Sequence, residues 1–593
     1  MTAPEGPNGK LRALQSLVLA LFAVLGLRLF YLQITTFADY ARESDENRIA
    51  QKRLRAPRGV IYDRNGEVLA RSRAFYTVSL ARSTRQEYEL AVGALQEALD
   101  SVEVTSKYTR DQRHVRLIRD VDFRTVSIVE ERLKPQWPHL DIEIESQRHY
   151  PHGATAAHVL GYMGILQDEP VRSVHGKSYV PGDFIGKAGL EKAFEDSLRG
   201  SDGFRFVEVD ADGRTRREFT EREQPPVAGG DLWLTLDLAV QQAAEAALPD
   251  SLPGAVVALD PQTGAVLAMA SRPAFDPNIF VSFQAQEERL RVLRQETSLL
   301  NRAIRGRYPP GSTLKMVAAT AALQEGLTDT MSTLAGCGGS LRVGDAVFHC
   351  MRAHGSLTLM QAMEVSCNVY FYRLGQLLGF DTWRSYGARF GLGQPTGIGL
   401  DTEDPGLLPT KAYYQQRGGW GLGHLLNLVI GQGAVLVTPL QMARYVSAIA
   451  NGGYLVTPHL VGPGPPPQRM AGVSPGTLEI VRQGMKRVIH GGRGTGWRVR
   501  IDGITMGGKS GTAQAPNRDD DAWFVAFAPL RRPEIAVAVV VEGGGGGGAV
   551  AGPVAKAVMQ AYMDAQKPTP GKPGRRPEAP DVPPGTWALR TAD

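Results

Sequence analysis

The sequence predicts an α+β protein anchored by one N-terminal membrane helix, and three observations carry that reading. An uncharged run at 13–27, continued by 29–34 and broken only by Arg28, opens the chain. Strand-like runs joined by short turns fill its C-terminal part, as in Ala522-Trp-Phe-Val-Ala-Phe-Ala528 and Ile535-Ala-Val-Ala-Val-Val-Val541. Ahead of them lie Ala-rich apolar stretches such as Met316-Val-Ala-Ala-Thr-Ala-Ala-Leu323, which suit buried helices. Together these indicate an antiparallel sheet with helices packed on it.

Taken in order, residues 1–12 form a short tail, and 13–34 approach the roughly 20 apolar residues needed to span a bilayer. The run is long for a cleaved signal and no clear small-x-small site follows it, so a retained anchor is expected. Lys10 and Arg12 precede the span, while Arg42, Arg48, Lys52 and Arg53 follow it, so charge does not set the orientation. Arg28 is expected to snorkel outward. Residues 35–230 mix a strand-like Phe75-Tyr-Thr-Val-Ser-Leu80 with charged helical runs at 87–100 and 126–133, and hold no catalytic constellation. His149, His152 and His158 lie close together at a spacing that suits no metal motif, and read as structural. Residues 231–565 form the sheet-and-helix domain. The 543–548 glycine run lacks the lysine and spacing of a phosphate loop and reads as a flexible turn before a last helix at 549–565. The tail 566–593, rich in Pro, Gly and Lys/Arg, reads as disordered.

At 593 residues the chain exceeds one domain, and 43% hydrophobic with 21% charged residues is an ordinary globular balance. A net charge of +5 is too small and scattered for nucleic-acid binding.

Three separated segments carry chemistry. In Ser312-Thr-Leu-Lys315, a Pro/Gly turn breaks into an apolar helix with Ser312 at its N-terminal edge. A three-residue step places Lys315 on the same face, where a desolvated amine can take the serine proton. The helix start offers backbone N–H groups to an oxyanion. Ser366-Cys-Asn368 sits in a helix-compatible apolar setting, where a hydroxyl and an amide need polar partners. Lys509-Ser-Gly-Thr512 opens the first of two strands joined by the acidic turn 517–521, and a cation with hydroxyls there suits a carboxylate. Alone, the first reads as a helix cap with a snorkelling lysine, the second as a cap or turn at a helix end, and the third as a solvated edge strand. Together they match the three elements of serine acyltransferases that react with penicillin.

On these motifs the chain resembles the class B penicillin-binding proteins, bacterial peptidoglycan D,D-transpeptidases, and within them the elongation-type penicillin-binding protein 2 branch. Further markers are Arg58–Ala70, Tyr150–Tyr162, Gly186-Lys-Ala-Gly-Leu-Glu191, Leu234-Thr-Leu-Asp237 and Gly431–Gln441, which opens with Gly431-Gln-Gly433. The resemblance implies a pedestal domain at 35–230 and a β-lactamase-like transpeptidase domain at 231–565. It implies that Ser312 is acylated by a stem peptide with release of D-alanine, that Lys315 is the general base and that Ser366 relays a proton. Asn368 would bind the substrate amide, and Lys509, Ser510, Gly511 and Thr512 the terminal carboxylate. The amides of Ser312 and Thr512 would form the oxyanion hole. No cofactor is required for that chemistry. Implied partners are stem peptides, β-lactams, a SEDS-family glycosyltransferase and other elongation-complex proteins. The N-terminus would be cytoplasmic and the bulk periplasmic. A division-type transpeptidase, a β-lactamase-related hydrolase and a non-catalytic activator scaffold are the alternatives. Only about 12 residues precede the span, which leaves no room for the cytoplasmic domain of a β-lactam sensor.

The cysteines add a second candidate site. Cys337, Cys350 and Cys367, with His354, make a complete tetrahedral zinc set, structural because four protein ligands leave no open position. A Cys337–Cys350 disulfide, leaving Cys367 as a buried thiol, is the competing expectation.

Overall fold

The computed structural model describes residues 7–36, 49–81, 84–99, 114–137, 139–166, 179, 182–209, 215–400, 403–515 and 517–567. The start of the expected N-terminal tail and nearly all of the expected disordered tail lie outside them. Helix α1 (Pro7–Phe30) continues into one wider π-type turn at Tyr31–Thr35. Across both, the 25-residue segment Leu11–Thr35 is apolar on average, with a mean hydropathy of 2.2, and none of it is buried. At 1.5 Å per residue it reaches about 37 Å, enough to cross a hydrocarbon core of about 30 Å. This is the form of a single-pass membrane anchor.

Two compact units follow. The first comprises Met1–Pro57, Arg73–Gln147 and Gly200–Gly229. Strands Ile49–Leu54, Gly203–Val209 and Thr215–Glu218 form an antiparallel three-stranded sheet. Tyr76–Ala81, the end of a strand that starts at Val68, pairs with His114–Val121. A helix at Arg85–Ala98 starts on a reciprocal Thr84/Glu87 cap and buries Ala91 and Leu95 in one apolar cluster with Val78, Leu80, Val115 and Leu117. The helical run expected at 126–133 is an α-helix only at Phe123–Ile128, then widens into a π-type turn as far as Leu133.

The second unit comprises Arg58–Ser72, Arg148–Arg199 and Gly230–Asp593. Its sheet contains β1 (Gly254–Leu259), β2 (Val266–Arg272), β3 (Gly507–Ala513), β4 (Asp521–Ala528) and β5 (Ile535–Val541), in the order β2-β1-β5-β4-β3, every pair antiparallel. The helices that matter here are α2 (Leu238–Ala247), α3 (Lys315–Gln324), α4 (Leu359–Glu364), α5 (Asn368–Leu378), α6 (Pro439–Ala450), α7 (Pro475–His490) and α8 (Ala551–Ala565). Strands β1, β4 and β5 are buried along their whole length. The period-2 alternation explains how. Val537, Val539 and Val541 join Val240 of α2 and Val554 and Val558 of α8 in one core, while Ala536, Ala538 and Val540 join Val317 of α3 and Tyr445 of α6 in the other. Covered on both faces, the strands read as unbroken apolar runs.

The 543–548 glycines are not the loose turn expected from composition, and α8 starts at Ala551 rather than 549. A Cβ on Gly547 would lie 2.1 Å from the Gly511 carbonyl oxygen and 2.2 Å from that of Trp523, so this turn is pressed against β3 and β4.

The quoted markers of the N-terminal half converge on one buried ion cluster. Glu191 accepts from Arg58 Nε (2.5 Å), Arg148 Nε (2.6 Å) and the Tyr150 hydroxyl (3.2 Å). Glu195 accepts from Arg58 Nη2 (2.8 Å) and the Gly186 amide (2.9 Å). His158 is buried, bonded to the Ser298 carbonyl at 2.8 Å, and burial pushes it down to about 4, consistent with a structural role.

Candidate active site

Ser312 does not open the α-helix. It lies in a 3-10 turn at Gly311–Leu314, and α3 begins only at Lys315. The turn is tight because its flanks are held. Gly311 adopts φ +55°, its amide donates to the Gly431 carbonyl at 2.8 Å, and a Cβ there would sit 2.7 Å from the Thr512 carbonyl oxygen. Only glycine permits that approach, and it brings the nucleophile candidate beside the edge strand β3.

Lys315 is fully buried. Its Nζ donates to the Ser366 carbonyl (2.8 Å), Ser366 Oγ (3.3 Å) and Asn368 Oδ1 (2.6 Å). None of these bonds goes to Ser312, the partner expected from the three-residue spacing. Burial pushes the Lys315 amine down to about 8, opposed by Cys350 and Cys367.

The Ser366-Cys-Asn368 segment breaks the helical run that its composition suggests. Helix α4 ends at Glu364, Cys367 caps α5, and Ser366 between them takes φ +57°. A left-handed non-glycine residue carries strain of order 1–3 kcal/mol. Here that conformation presents both the carbonyl and the hydroxyl of Ser366 to Lys315. The buried Glu364 carboxylate holds the segment from behind, accepting from Arg487 Nε and the Arg493 amide, each at 3.0 Å.

Lys509 on β3 is also fully buried, and its Nζ donates to Ser366 Oγ (2.9 Å) and the Ser510 carbonyl (2.8 Å). The Ser366 hydroxyl therefore bridges two lysines. Burial, and then the neighbouring Lys315, push Lys509 well below its ordinary value. Ser510 and Thr512, two apart, share the strand face opposite Gly511 and are half-buried and exposed respectively. Ser510 Oγ meets Thr495 Oγ1 at 2.7 Å, and the Thr512 carbonyl accepts from Gln432 Nε2 at 3.2 Å.

Thr495, Gln432 and Glu364 are participants that the motifs did not flag. Gln432 stood inside a recognised Gly431-Gln-Gly433 marker, so its place was visible without its role. Nothing in the sequence around Thr495 or Glu364 signals a site.

The four candidate zinc ligands come together. Their ligating atoms all lie within 4.8 Å of one another, and the three cysteines are free, so the expected Cys337–Cys350 disulfide is absent. His354 Nδ1 is 3.7 Å from Cys337 Sγ and 3.5 Å from Cys350 Sγ, and Cys350 Sγ is 3.9 Å from Cys367 Sγ. The Asn368 backbone amide donates to Cys350 Sγ at 3.2 Å, so the cluster abuts the Ser366–Asn368 segment directly.

The chain is similar to known proteins over most of its length. The penicillin binding protein transpeptidase domain matches residues 254–560, and the penicillin-binding protein dimerisation domain matches 53–234. A relative described as peptidoglycan D,D-transpeptidase MrdA, from Acinetobacter baumannii, is 33% identical over 608 residues, 95% of this chain and 89% of the relative. The Helicobacter pylori PBP2 in a complex with MreC superposes with a TM-score of 0.76 at 27% identity, covering 87% of this chain and 99% of that one. A chain of a peptidoglycan synthase complex, solved for its coordination of polymerization and crosslinking, gives a TM-score of 0.72 at 32% identity, over 95% and 100% of the two chains. On the domain matches and the near full-length similarity, the chain belongs to the penicillin-binding protein transpeptidase family, as a peptidoglycan D,D-transpeptidase.

Proposed function

We propose that Ser312 is the acylated nucleophile and that Lys315, Ser366 and Lys509 form its proton-handling network. The observation that carries this is the Ser366 hydroxyl held between two buried lysines, one of them three residues from Ser312. A Lys315 amine brought down to about 8 is neutral often enough near neutral pH to take the serine proton. Ser312 Oγ attacks the penultimate D-alanine carbonyl of a donor stem peptide. The amides of Ser312 and Thr512, on segments brought together at Gly311, receive the oxyanion. Ser366 passes a proton to the departing D-alanine amine, and an amine of a second stem peptide then takes the acyl group. Asn368 spends Oδ1 on Lys315 and one Nδ2 hydrogen on the His349 carbonyl (3.2 Å), leaving the other hydrogen for the substrate amide. Ser510 and Thr512 take the terminal carboxylate, while the inward-turned Lys509 supplies field rather than a direct contact.

The named relatives favour lateral wall elongation over septal division, with MreC-like proteins as partners, and the family resemblance adds a SEDS-family glycosyltransferase as membrane partner. The substrate's location puts the N-terminus in the cytoplasm and the catalytic unit in the periplasm. Mass spectrometry after penicillin treatment tests the reading. One stable adduct on the Ser312 peptide, absent in Ser312→Ala, is expected. Fast drug loss without an adduct would indicate a lactamase, and neither result in folded protein would leave a scaffold.

Cys337, Cys350, His354 and Cys367 are proposed to hold a structural zinc. Ligands bound to tetrahedral zinc at about 2.0–2.3 Å lie about 3.5–3.8 Å apart; three of the pairs stand at 3.5, 3.7 and 3.9 Å and all lie within 4.8 Å, so a small inward movement closes the cage. Elemental analysis of purified protein should find one zinc per chain, reduced by Cys337→Ser; its absence sinks the assignment.

A further inference from the structure

The two amides proposed to receive the oxyanion, those of Ser312 and Thr512, lie far apart in the chain, and a third stretch, Gly431-Gln432, touches both of their segments. On one side the Gly311 amide, one residue before Ser312, donates to the Gly431 carbonyl at 2.8 Å. Gly431 takes φ +75°, and a Cβ on it would lie 2.0 Å from the Gly311 carbonyl oxygen, so the two backbones meet directly. On the other side Gln432 Nε2 donates to the Thr512 carbonyl at 3.2 Å. The stretch is itself held, because the Gln432 amide donates to the Asn427 carbonyl (2.9 Å) in the last turn of the helix Leu422–Val429.

Strand β3 is the outer strand of its sheet, and among the described residues no strand pairs with its far edge. In an antiparallel ladder a residue turns its amide and its carbonyl to the same side. The Thr512 carbonyl is turned to Gln432, away from β4, so the Thr512 amide faces the free edge too. An edge strand has ladder bonds on one side only, and the Gln432 side chain supplies a bond on the other side, at the residue that carries the oxyanion donor.

We infer that Gln432 is a positioning residue that sets the oxyanion hole, clamping the Thr512 end of β3 to the turn that carries Ser312. The inference rests on Ser312 acylation with the oxyanion held between the Ser312 and Thr512 amides. Gln432 acts through the Thr512 carbonyl and needs no contact with the substrate. Such a hole works because its donors are aimed beforehand, and they gain more in the tetrahedral state than in the bound ground state. Loosening Thr512 therefore slows the chemical step and spares the first binding of the drug. The bond is a single neutral one and solvent-exposed, so its loss costs the fold little. A glutamine that only braced the fold would act in the opposite way, through the melting temperature.

The test uses the full-length chain in detergent and a fluorescent penicillin, over concentrations that separate the dissociation constant of the first complex from the acylation rate constant. Gln432→Met keeps the length of the side chain and removes the donor. Gln432→Glu, ionised at pH 8, keeps the shape and sets a carboxylate against the carbonyl. In both variants the acylation rate constant should fall about 10- to 100-fold, with the dissociation constant within about threefold of wild type and the melting temperature nearly unchanged. The same hole receives the tetrahedral state of release, so the penicillin adduct should also persist longer. An acylation rate constant within about twofold of wild type overturns the inference, as does a loss that appears in the dissociation constant instead. Gln432→Glu serves if Gln432→Met does not fold, and failure of both to fold makes Gln432 a brace of the fold, which overturns it as well. Failure of the wild type to acylate at Ser312 overturns the transpeptidase reading instead, and is seen before any variant is compared.

Discussion

At the scale of single residues, the site depends on two amines withheld from water. Lys315 and Lys509 are both fully buried and both reach the Ser366 hydroxyl, and burial, then the charge of Lys315, push Lys509 down. The sign for pH follows directly. With Lys315 brought from 10.5 down to about 8, its neutral, proton-accepting form grows as pH rises through 8. The second-order rate of acylation by penicillin should therefore climb up to about pH 8 and level off above it. A rate flat from pH 6 to 9 would show that Lys315 is not the base. Ser366→Ala removes the group bridging both amines, and should lower acylation by about 10²–10⁴-fold with little change in melting temperature. The three-residue spacing of Ser312 and Lys315 was legible, but the direction of the lysine was not. Nothing local reveals that Nζ turns toward a segment some fifty residues on, because the partner is supplied by the break between α4 and α5.

At the scale of elements, the edge strand β3 and the turns around it set the geometry. The Gly547 turn presses on the backbones of Gly511 and Trp523, and a methyl group has no room there. Gly547→Ala should destabilise the protein by about 1–3 kcal/mol and slow acylation by displacing Ser510 and Thr512. Thermal unfolding alongside penicillin labelling checks both, and unchanged values in each would mean the turn yields freely. The strands β4 and β5 were readable because runs buried on both faces are apolar throughout. The glycine run was misread as loose because composition reports backbone freedom and not what the backbone packs against. The break at Ser366 is consistent with the cap or turn at a helix end that its flanks allowed: its neighbours favour helix, while the cap at Cys367 and the bonds from Lys315 favour a turn.

At the scale of the whole molecule, the second unit is assembled from three stretches far apart in sequence, and the Arg58–Glu191–Arg148 cluster ties two of them. Breaking a buried ion pair strands a charge in low dielectric. Glu191→Ala should therefore cost about 3–5 kcal/mol and lower the melting temperature without altering the pH dependence of whatever acylation remains. A loss of less than about 1 kcal/mol would mean that water reaches the arginines.

The α+β class, the membrane span, the three segments that match acyltransferases and the four possible zinc ligands were legible before any fold was known, because each is written in local composition or in motif spacing. Which atoms meet came from the folded chain. It placed Ser366 between two lysines, set Thr495 against Ser510, turned Lys509 inward and drew Cys337, Cys350, His354 and Cys367 within 4.8 Å of one another. Side-chain direction and long-range closure arise from packing among residues far apart in the chain, and no local pattern carries that information.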